Sequence, residues 1–292
     1  MKDDYCFDAI KQMGYQVCIP YCDVNLFFRC LREAWYRLHL PCKKLWFNRK
    51  LNHIDADIFI LSDPLMTPEL INFIEQRYPK KRVILSYENR VEKTINPNTI
   101  TKSRVEKWSY DKDDCEKYHM RYVGSSYFDI YRRKKKQMLK YDIVYLGRDK
   151  GRAEKLFNLE KKFNDIGLKT YFYICADRKF LKYKKTFYKP LMPYKTYLEL
   201  ISRTRAILNI MPEGQTSVTT RDFEAIFHGV KEITNNKGIK QYDFYDPSRF
   251  FILGEDKLEE LPKFLKSKFV PISPRELDKY RYQNWLNQII QQ

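Results

Sequence analysis

The residues with the clearest capacity for chemistry lie at positions 215–236, where a hydroxyl-rich loop leads into a short predicted helix. Thr219 and Thr220 stand at the start of this helix, and Arg221 lies in its first turn. A helix N-terminus carries unpaired N–H groups and partial positive charge, so it suits a phosphate. Glu224, one turn further on, could accept hydrogen bonds from sugar hydroxyls, and together these groups suit a nucleotide-sugar. The alternative is an ordinary N-cap threonine followed by a solvated glutamate.

A second group of polar residues forms the sequence GRDKGR at positions 147–152, directly after an apolar run that predicts a strand. Arg148, Lys150 and Arg152 supply three cations, and Gly151 allows the backbone to approach a ligand closely. Cations at the carboxyl end of a strand could neutralise a diphosphate. The pattern is neither G-x-G-x-x-G nor a P-loop, so a basic surface turn is the alternative.

The composition favours an acidic partner. The 292 residues include 55 Lys and Arg against 37 Asp and Glu, a net charge of +18. Nucleic acid, anionic lipid headgroups and a phosphorylated substrate all fit such a charge. Basic runs lie at residues 77–82, 132–136 and 179–189, and each alone is more typical of a solvated face or a linker.

The sequence also favours a cytoplasmic protein. No apolar stretch reaches the length of a membrane span, and the polar, acidic N-terminus does not resemble a secretory signal. The seven cysteines lack metal-ligand spacing, so reduced thiols are expected.

Apolar segments alternate with helix-like patterns along the chain, which is typical of α/β units with parallel strands. In the first half, a helix at 5–13 precedes predicted strands at 16–20, 57–62 and 82–87, with a helix at 67–78 that starts at Pro68. In the second half, strands are predicted at 141–147, 170–176, 206–211 and 231–234, and helices at 152–166, 194–204 and 219–228.

This pattern predicts two Rossmann-like domains that face a central cleft, with ligands at the carboxyl ends of the strands. The N-terminal domain is assigned to residues 1–130 and is expected to lack its usual first strand. A basic linker at 131–140 leads to the second domain at 141–272. Residues 273–292 are predicted to form a capped amphipathic helix.

Four segments taken in order, residues 142–152, 193–210, 215–236 and 239–252, resemble bacterial glycosyltransferases of the two-Rossmann GT-B type. The similarity is to enzymes encoded in capsule and lipopolysaccharide gene clusters. In such proteins a GRDKGR turn, a TxRxFEA helix start and a K-x-ITxN strand recur, and they read here as GRDKGR, TTRDFEA and KEITNN.

The resemblance implies that the C-terminal domain holds a nucleotide-sugar and the N-terminal domain an acceptor. The cations of the GRDKGR turn and the helix start would meet the diphosphate, and Glu224 matches a glutamate that binds the ribose. Tyr194 would lie near the base, with a core or cap role as the alternative. The implied donor-binding residues are Arg148, Lys150, Gly151, Arg152, Tyr194, Thr219, Thr220, Arg221 and Glu224.

The catalytic outcome stays open at this stage. Many retaining members carry a glutamate where this chain has Thr216, and the nearest upstream acid, Glu213, has different spacing. An inverting enzyme would need a general base from the acceptor side, and Asp23, Asp63 and Glu88 follow apolar segments there.

Glu88 is the candidate base, with turn or cap roles as the alternative for all three acids. Arg221 is the second candidate catalytic residue. No Asp-x-Asp pair follows a strand, and cations with a helix dipole could neutralise the leaving group, so no metal or other cofactor is predicted.

The sequence therefore predicts a glycosyltransferase that moves a sugar from a nucleotide-sugar donor to a glycan or lipid-linked acceptor in cell-surface polysaccharide synthesis. The basic surface would favour peripheral contact with the anionic inner face of the membrane. One alternative is a nucleic-acid-binding protein, supported by charge and abundant Tyr and Phe, although no RNP, zinc-finger or helix-turn-helix signal is present, so nucleic acid is not the expected partner. The other is a non-catalytic member of the transferase family.

Overall fold

The computed structural model describes residues 2–101, 103–129, 138–177, 187–211 and 217–292. The chain forms two compact units. The N-terminal unit comprises Ile10–Ser125 and Trp285–Gln292, and the C-terminal unit comprises Met1–Ala9 and Ser126–Asn284. The part of the predicted linker at 131–137, with the basic run at 132–136, lies outside the described residues.

The N-terminal unit contains a four-stranded sheet in which every pair of neighbours is parallel. Its strands, in the order β1-β2-β3-β4, are β1 (Ile58–Ser62), β2 (Arg82–Tyr87), β3 (Glu106–Ser109) and β4 (Arg121–Tyr122). Five of the six residues of β2 are buried, as expected for a central strand covered on both faces. The sequence predictions for β1 and β2 are confirmed.

The helices that precede residue 120 in the sequence are α1 (Lys2–Gln12), α2 (Leu26–Arg37), α3 (Pro68–Arg77) and α4 (Lys112–Tyr118). Helix α3 begins as predicted, because Pro68 occupies its first turn and the Thr67 hydroxyl caps the N–H of Leu70. The sequence did not identify α2.

The predicted strand at residues 16–20 is wrong. This segment joins no sheet, and Ile19 is half exposed. Carbonyl groups of this segment accept hydrogen bonds from Asn48 instead. The backbone N–H of Asn48 lies 2.9 Å from Pro20 O, and its side-chain Nδ2 lies 2.9 Å from Ile19 O. The first strand of this unit among the described residues is therefore β1.

The C-terminal unit contains a five-stranded parallel sheet. Its strands are β5 (Tyr141–Arg148), β6 (Thr170–Cys175), β7 (Thr204–Asn209), β8 (Lys231–Thr234) and β9 (Phe250–Ile252), in the order β6-β5-β7-β8-β9. A single parallel bridge between Cys175 and Lys189 extends the sheet by one rung beyond β6. Counting that rung as a third strand gives the Rossmann strand order 3-2-1-4-5-6. In this order the successive strands are added first on one side of β5 and then on the other.

The remaining helices are α5 (Ala153–Asp165), α6 (Tyr194–Ile201), α7 (Thr220–His228), α8 (Leu261–Lys266), α9 (Pro274–Asp278) and α10 (Tyr282–Gln291). The predicted strands β5 to β8 and helices α5 to α7 are confirmed, and Gly229 ends α7 in the left-handed conformation at φ 64°. Strand β9 and helix α8 were not predicted.

The single helix predicted at residues 273–292 is wrong, because the structure divides it into α9 and α10. Ser273 and Glu276 form a capping box at the start of α9. Between the helices the backbone turns to Tyr127, whose N–H lies 2.8 Å from Tyr280 O and whose carbonyl accepts from Tyr282 N at 3.0 Å. This short parallel bridge uses backbone groups that a continuous helix would need for itself.

Within the described ranges, no helix has both the length and the apolar character needed to cross a membrane.

Candidate functional site

The carboxyl end of β5 is where the topology of the C-terminal unit predicts a ligand. Strand β5 pairs with β6 on one side and β7 on the other. The connections on the two sides of such a strand diverge and leave a crevice at its carboxyl end. Arg148 is the last residue of β5, and Asn209 is the last residue of β7.

Arg148 has the properties of a binding residue. Its side chain is partly buried at the end of β5. Within the described part of the chain its guanidinium makes no hydrogen bond and no ion pair. A guanidinium that has lost part of its hydration without gaining a protein partner favours an anionic ligand.

The turn that follows β5 has left-handed backbone at two positions, with φ 49° at Lys150 and 77° at Gly151. Gly151 adopts this conformation without the steric cost that other residues pay. The Lys150 N–H donates to Asp177 Oδ2 at 2.5 Å, so the turn is tied to the segment after β6. The side chain of Lys150 is exposed.

Asp149 in this turn was missed by the sequence analysis. It is buried, and its Oδ1 accepts from Ala153 N at 2.6 Å at the start of α5. Its Oδ2 accepts from the Tyr188 hydroxyl at 2.5 Å, which raises the pKa of Tyr188 to about 12. The first turn of α5 is thus held by a carboxylate of the protein itself. An aspartate three residues before a predicted helix was the available signal.

The Arg152 guanidinium is committed to the fold. Its Nη2 donates to Arg148 O at 3.0 Å and to the Tyr145 hydroxyl at 3.2 Å, and its Nε donates to Asp149 O at 3.1 Å. Its Nη1 donates to Ile210 O, beyond the end of β7. Arg152 therefore joins the turn after β5 to the segment after β7, which is a positioning role that the sequence did not predict.

Arg221 and Glu224 lie together on α7, with two tyrosines of α6. The Tyr197 hydroxyl donates to Glu224 Oε2 at 2.7 Å, and Tyr194 donates to Oε1 at 3.0 Å. Arg221 Nε lies 3.6 Å from Oε2, and the guanidinium sits 4.8 Å from the centroid of the Tyr197 ring. Glu224 is only 4% exposed, so the alternative of a solvated glutamate is wrong.

Arg221 is held from several sides. Its Nη2 donates to Leu146 O of β5 at 2.5 Å, and its Nη1 donates to the Tyr197 hydroxyl. Burial lowers the pKa of Arg221, but the surrounding Tyr197 and Glu224 outweigh it and raise the pKa above its ordinary value. The side chain keeps 19% of its exposure, so a permanent positive charge remains accessible near the end of β5.

The network continues from Tyr194 to Tyr127. Their hydroxyl oxygens lie 2.8 Å apart, and the Tyr127 hydroxyl is 3.0 Å from His228 Nε2. The sequence analysis did not select Tyr127. Its partners are more than sixty residues away in sequence, so no local pattern revealed it.

The N-terminus of α7 carries its own cap. Thr219 Oγ1 accepts from Arg221 N at 3.2 Å, while Asp222 Oδ2 accepts from Thr219 N at 2.6 Å and from Thr219 Oγ1 at 2.7 Å. The capping role weighed for Thr219 is confirmed. Thr220, the first residue of the helix, is partly buried. Because Asp222 places a carboxylate in the first turn, the positive end of this helix is partly neutralised from within.

Two buried carboxyl groups, Asp222 of α7 and Glu232 of β8, lie close together. Asn209 Nδ2 donates to Glu232 Oε1 at 2.9 Å and to Asp222 Oδ2 at 3.4 Å. Asp222 and Glu232 are fully buried. Burial, and then the charge of Asp222, raise the pKa of Glu232 well above its ordinary value. A protonated Glu232 can donate to Asp222, which gives both carboxyl groups a partner.

In the N-terminal unit, Glu88 and Asp63 follow adjacent strands. Glu88 is exposed after β2, and its backbone N–H donates to Asp63 Oδ1 at 2.8 Å. Asp63 is 1% exposed, and burial raises its pKa. Asn89 and Thr94 also bond to Asp63, so it organises the loop after β2 in addition to its own turn. Asp23 is exposed.

Glu213 and Thr216, which were weighed in the sequence, lie outside the described residues, as does most of the basic run at 179–189. Among the residues that are described, no three His, Cys, Asp or Glu side chains are grouped so as to hold a metal ion.

No protein-family model and no curated protein matches this sequence. Among solved structures, the chain is similar to the glycotransferase of kitacinnamycin, with a TM-score of 0.42 and 9% sequence identity. The alignment covers 91% of this chain and 79% of that one. A likeness of this size identifies neither the fold family nor the activity of this chain. The described part of the chain is mixed α/β and contains two parallel sheets.

Proposed function

We propose that this protein is a glycosyltransferase that transfers a sugar from a nucleotide-sugar to a glycan or lipid-linked acceptor. Two things support the proposal: the resemblance of four ordered segments to GT-B enzymes of capsule and lipopolysaccharide clusters, and the chemistry at the end of β5. The observation that carries it is the partly buried Arg148 guanidinium, which has no partner in the described part of the chain. The C-terminal unit would bind the donor and the N-terminal unit the acceptor.

In this proposal the cations near the end of β5 have different roles. Arg148 and Lys150 neutralise the diphosphate, and Arg221 stabilises the charge that develops on it as the sugar leaves. Arg152 positions the turn, because its donors are already used within the fold. The backbone at Gly151 allows close approach of the phosphates.

Glu224 is the proposed ribose ligand. Binding of the ribose would replace one of the hydrogen bonds that Glu224 now accepts. Its Oε1 accepts from the hydroxyl of Tyr194, a partly buried residue. A ribose hydroxyl donating to the same oxygen would replace that bond. Oε2 would stay bonded to Tyr197 and keep the carboxylate in place.

The acceptor side is proposed to supply the base of an inverting reaction. Glu88 is exposed at the carboxyl end of the N-terminal sheet, where an acceptor hydroxyl could reach it. Asp63 would act as a positioning residue through its bond to the Glu88 backbone.

The direct test is calorimetry with UDP, GDP and CMP on the full-length protein and on Arg148→Ala. At least one nucleotide should bind the wild type, and the variant should bind it about tenfold or more weakly, since a charged hydrogen bond to phosphate is lost. Arg148→Lys should keep part of the affinity. In a donor-hydrolysis assay with the matching nucleotide-sugar, the wild type should be the most active, Arg148→Lys intermediate and Arg148→Ala the least active.

Arg275→Ala is the matched control, because Arg275 is exposed and belongs to α9, which contributes no residue to the proposed site. It should bind like the wild type. Absence of binding to all three nucleotides would exclude the proposal, and so would equal affinity in the Arg148 and Arg275 variants. Binding without any turnover would instead identify a non-catalytic member of this class.

A further inference from the structure

Helix α2 presents its apolar side to solvent. Successive positions 27, 31, 34 and 38 follow the spacing of one helical face. All four residues are exposed, and Phe27 and Leu38 retain 70% and 68% of their surface. Leu26 at the helix start retains 74%. No residue of this helix is buried, so the face contributes to no core.

The opposite side of α2 holds the helix on the protein. Tyr36 and Arg32 both contact Tyr21, with the Tyr36 ring edge-on at 6.0 Å and the Arg32 guanidinium 4.8 Å from the ring centroid. Trp35 packs against Trp46 of the short helix Lys43–Trp46. The helix is thus anchored by its polar and aromatic side, and its aliphatic side faces away.

The segment that carries α2 is strongly basic. Residues 24–54 contain a single acid, Glu33, and seven cations: Arg29, Arg32, Arg37, Lys43, Lys44, Arg49 and Lys50. Four of them, Arg29, Arg37, Arg49 and Lys50, are exposed and form no ion pair within the described ranges. An apolar stripe with cations beside it matches the boundary of a bilayer that contains anionic lipids.

We propose that α2 lies in the surface of an anionic membrane, with Phe27, Leu31 and Leu38 in the acyl boundary and the flanking arginines at the headgroups. Nucleic acid would be complementary to the cations but would leave the apolar stripe in water. A second copy of the chain would cover the stripe but would bring the same cations together. A lipid surface accounts for both features, and the proposal does not depend on the nucleotide site.

The test is co-sedimentation of the full-length protein with vesicles of phosphatidylcholine and phosphatidylglycerol, compared with vesicles of phosphatidylcholine alone. The wild type should bind the anionic vesicles, and added salt should weaken the binding. Phe27→Ser with Leu31→Ser should lower the affinity at least about tenfold, since two apolar side chains are withdrawn from the bilayer.

The matched control is Leu191→Ser with Val270→Ser, which removes two exposed apolar side chains from the C-terminal unit. It should bind as the wild type does. Circular dichroism should show that both double variants are folded, because none of the four side chains is buried. Sedimentation equilibrium without vesicles completes the experiment and should show the same oligomeric state in all three proteins.

Three results would overturn the proposal. The first is wild-type affinity for vesicles in the Phe27/Leu31 variant. The second is failure of the wild type to sediment with anionic vesicles. The third is a wild-type dimer that becomes a monomer only in this variant, because the face would then be covered by a second copy. Nucleotide binding would remain intact in each case, so failure here is distinct from failure of the transferase proposal.

Discussion

At the scale of single residues, the buried pair of Asp222 and Glu232 makes a prediction about pH. The ordinary pKa of Glu232 is 4.5, and its folded value is well above that. Above pH 4.5 the unfolded chain loses this proton while the folded chain keeps it, so wild-type stability falls as the pH rises toward the folded pKa. Glutamine cannot ionise in either state and can donate to Asp222 as the protonated acid does.

Glu232→Gln should therefore be more stable than the wild type at neutral pH by about 1 kcal/mol or more. The difference should disappear in acid, where wild-type Glu232 is protonated in both states. Urea denaturation at a series of pH values measures it. A variant that is less stable than the wild type at neutral pH would show that Glu232 is ionised in the folded protein.

Asp222→Asn, the amide substitution of the other carboxyl group in the pair, should have the opposite effect on stability. Asp222 accepts from both the N–H and the hydroxyl of Thr219, so the amide weakens the cap of α7. We expect a loss of about 1–2 kcal/mol in the same denaturation series, as for other helix caps. Equal effects of the two amide substitutions would contradict the roles assigned to the pair.

At the scale of the elements, Arg152 decides how the turn after β5 is held. Its guanidinium bonds to the carbonyls of Arg148 and Asp149 and to Ile210 after β7. Lysine keeps the charge but cannot make this set of bonds. Arg152→Lys should therefore lower the unfolding free energy by about 1–3 kcal/mol and weaken nucleotide binding at the same time.

Arg148→Lys is the control for that prediction. Arg148 has no partner in the described residues, so the substitution should leave the thermal midpoint unchanged. Thermal denaturation and calorimetry on both variants separate the two roles. If Arg152→Lys lost nucleotide affinity without losing stability, Arg152 would be a direct ligand of the diphosphate.

Helices and strands were predictable from sequence where their apolar residues are buried and recur with the spacing of that helix or strand. Strands β1, β2, β5 and β7 are runs of apolar residues, and they were found. Helix α2 was not, because its apolar residues face solvent and mark no core. The break between α9 and α10 depends on the distant backbone of Tyr127, which leaves no local signal.

The site was predictable only in its outline. The sequence selected Arg148, Arg221 and Glu224, which lie on β5 and α7 of the C-terminal unit. It could not show that Arg152 turns inward, because that depends on Ile210, fifty-eight residues away. Nor could it show the tyrosines that hydrogen-bond to Glu224, since both come from α6. Identity of side chains was visible in the sequence, whereas their hydrogen-bond partners came from the tertiary fold.

At the scale of the whole molecule, the two units have separate cores and should respond separately to substitution. Ile289 of α10 is fully buried in the part of the chain assigned to the N-terminal unit, where Ile290 O also accepts from Arg82 Nη1 at 2.8 Å. Ile233 is fully buried in the core of the C-terminal sheet. Each should cost about 2–5 kcal/mol when replaced by alanine, because a buried cavity is left.

Ile289→Ala should lower the transition of the N-terminal unit and leave nucleotide affinity unchanged. Ile233→Ala should lower the transition of the C-terminal unit. A bound nucleotide stabilises only the folded form that holds it, so saturating nucleotide should raise the second transition and not the first. Differential scanning calorimetry of both variants, with and without nucleotide, measures this. A single transition that both variants lower equally would contradict it, because stability would then belong to the whole chain and the donor site could not be assigned to one unit on this basis.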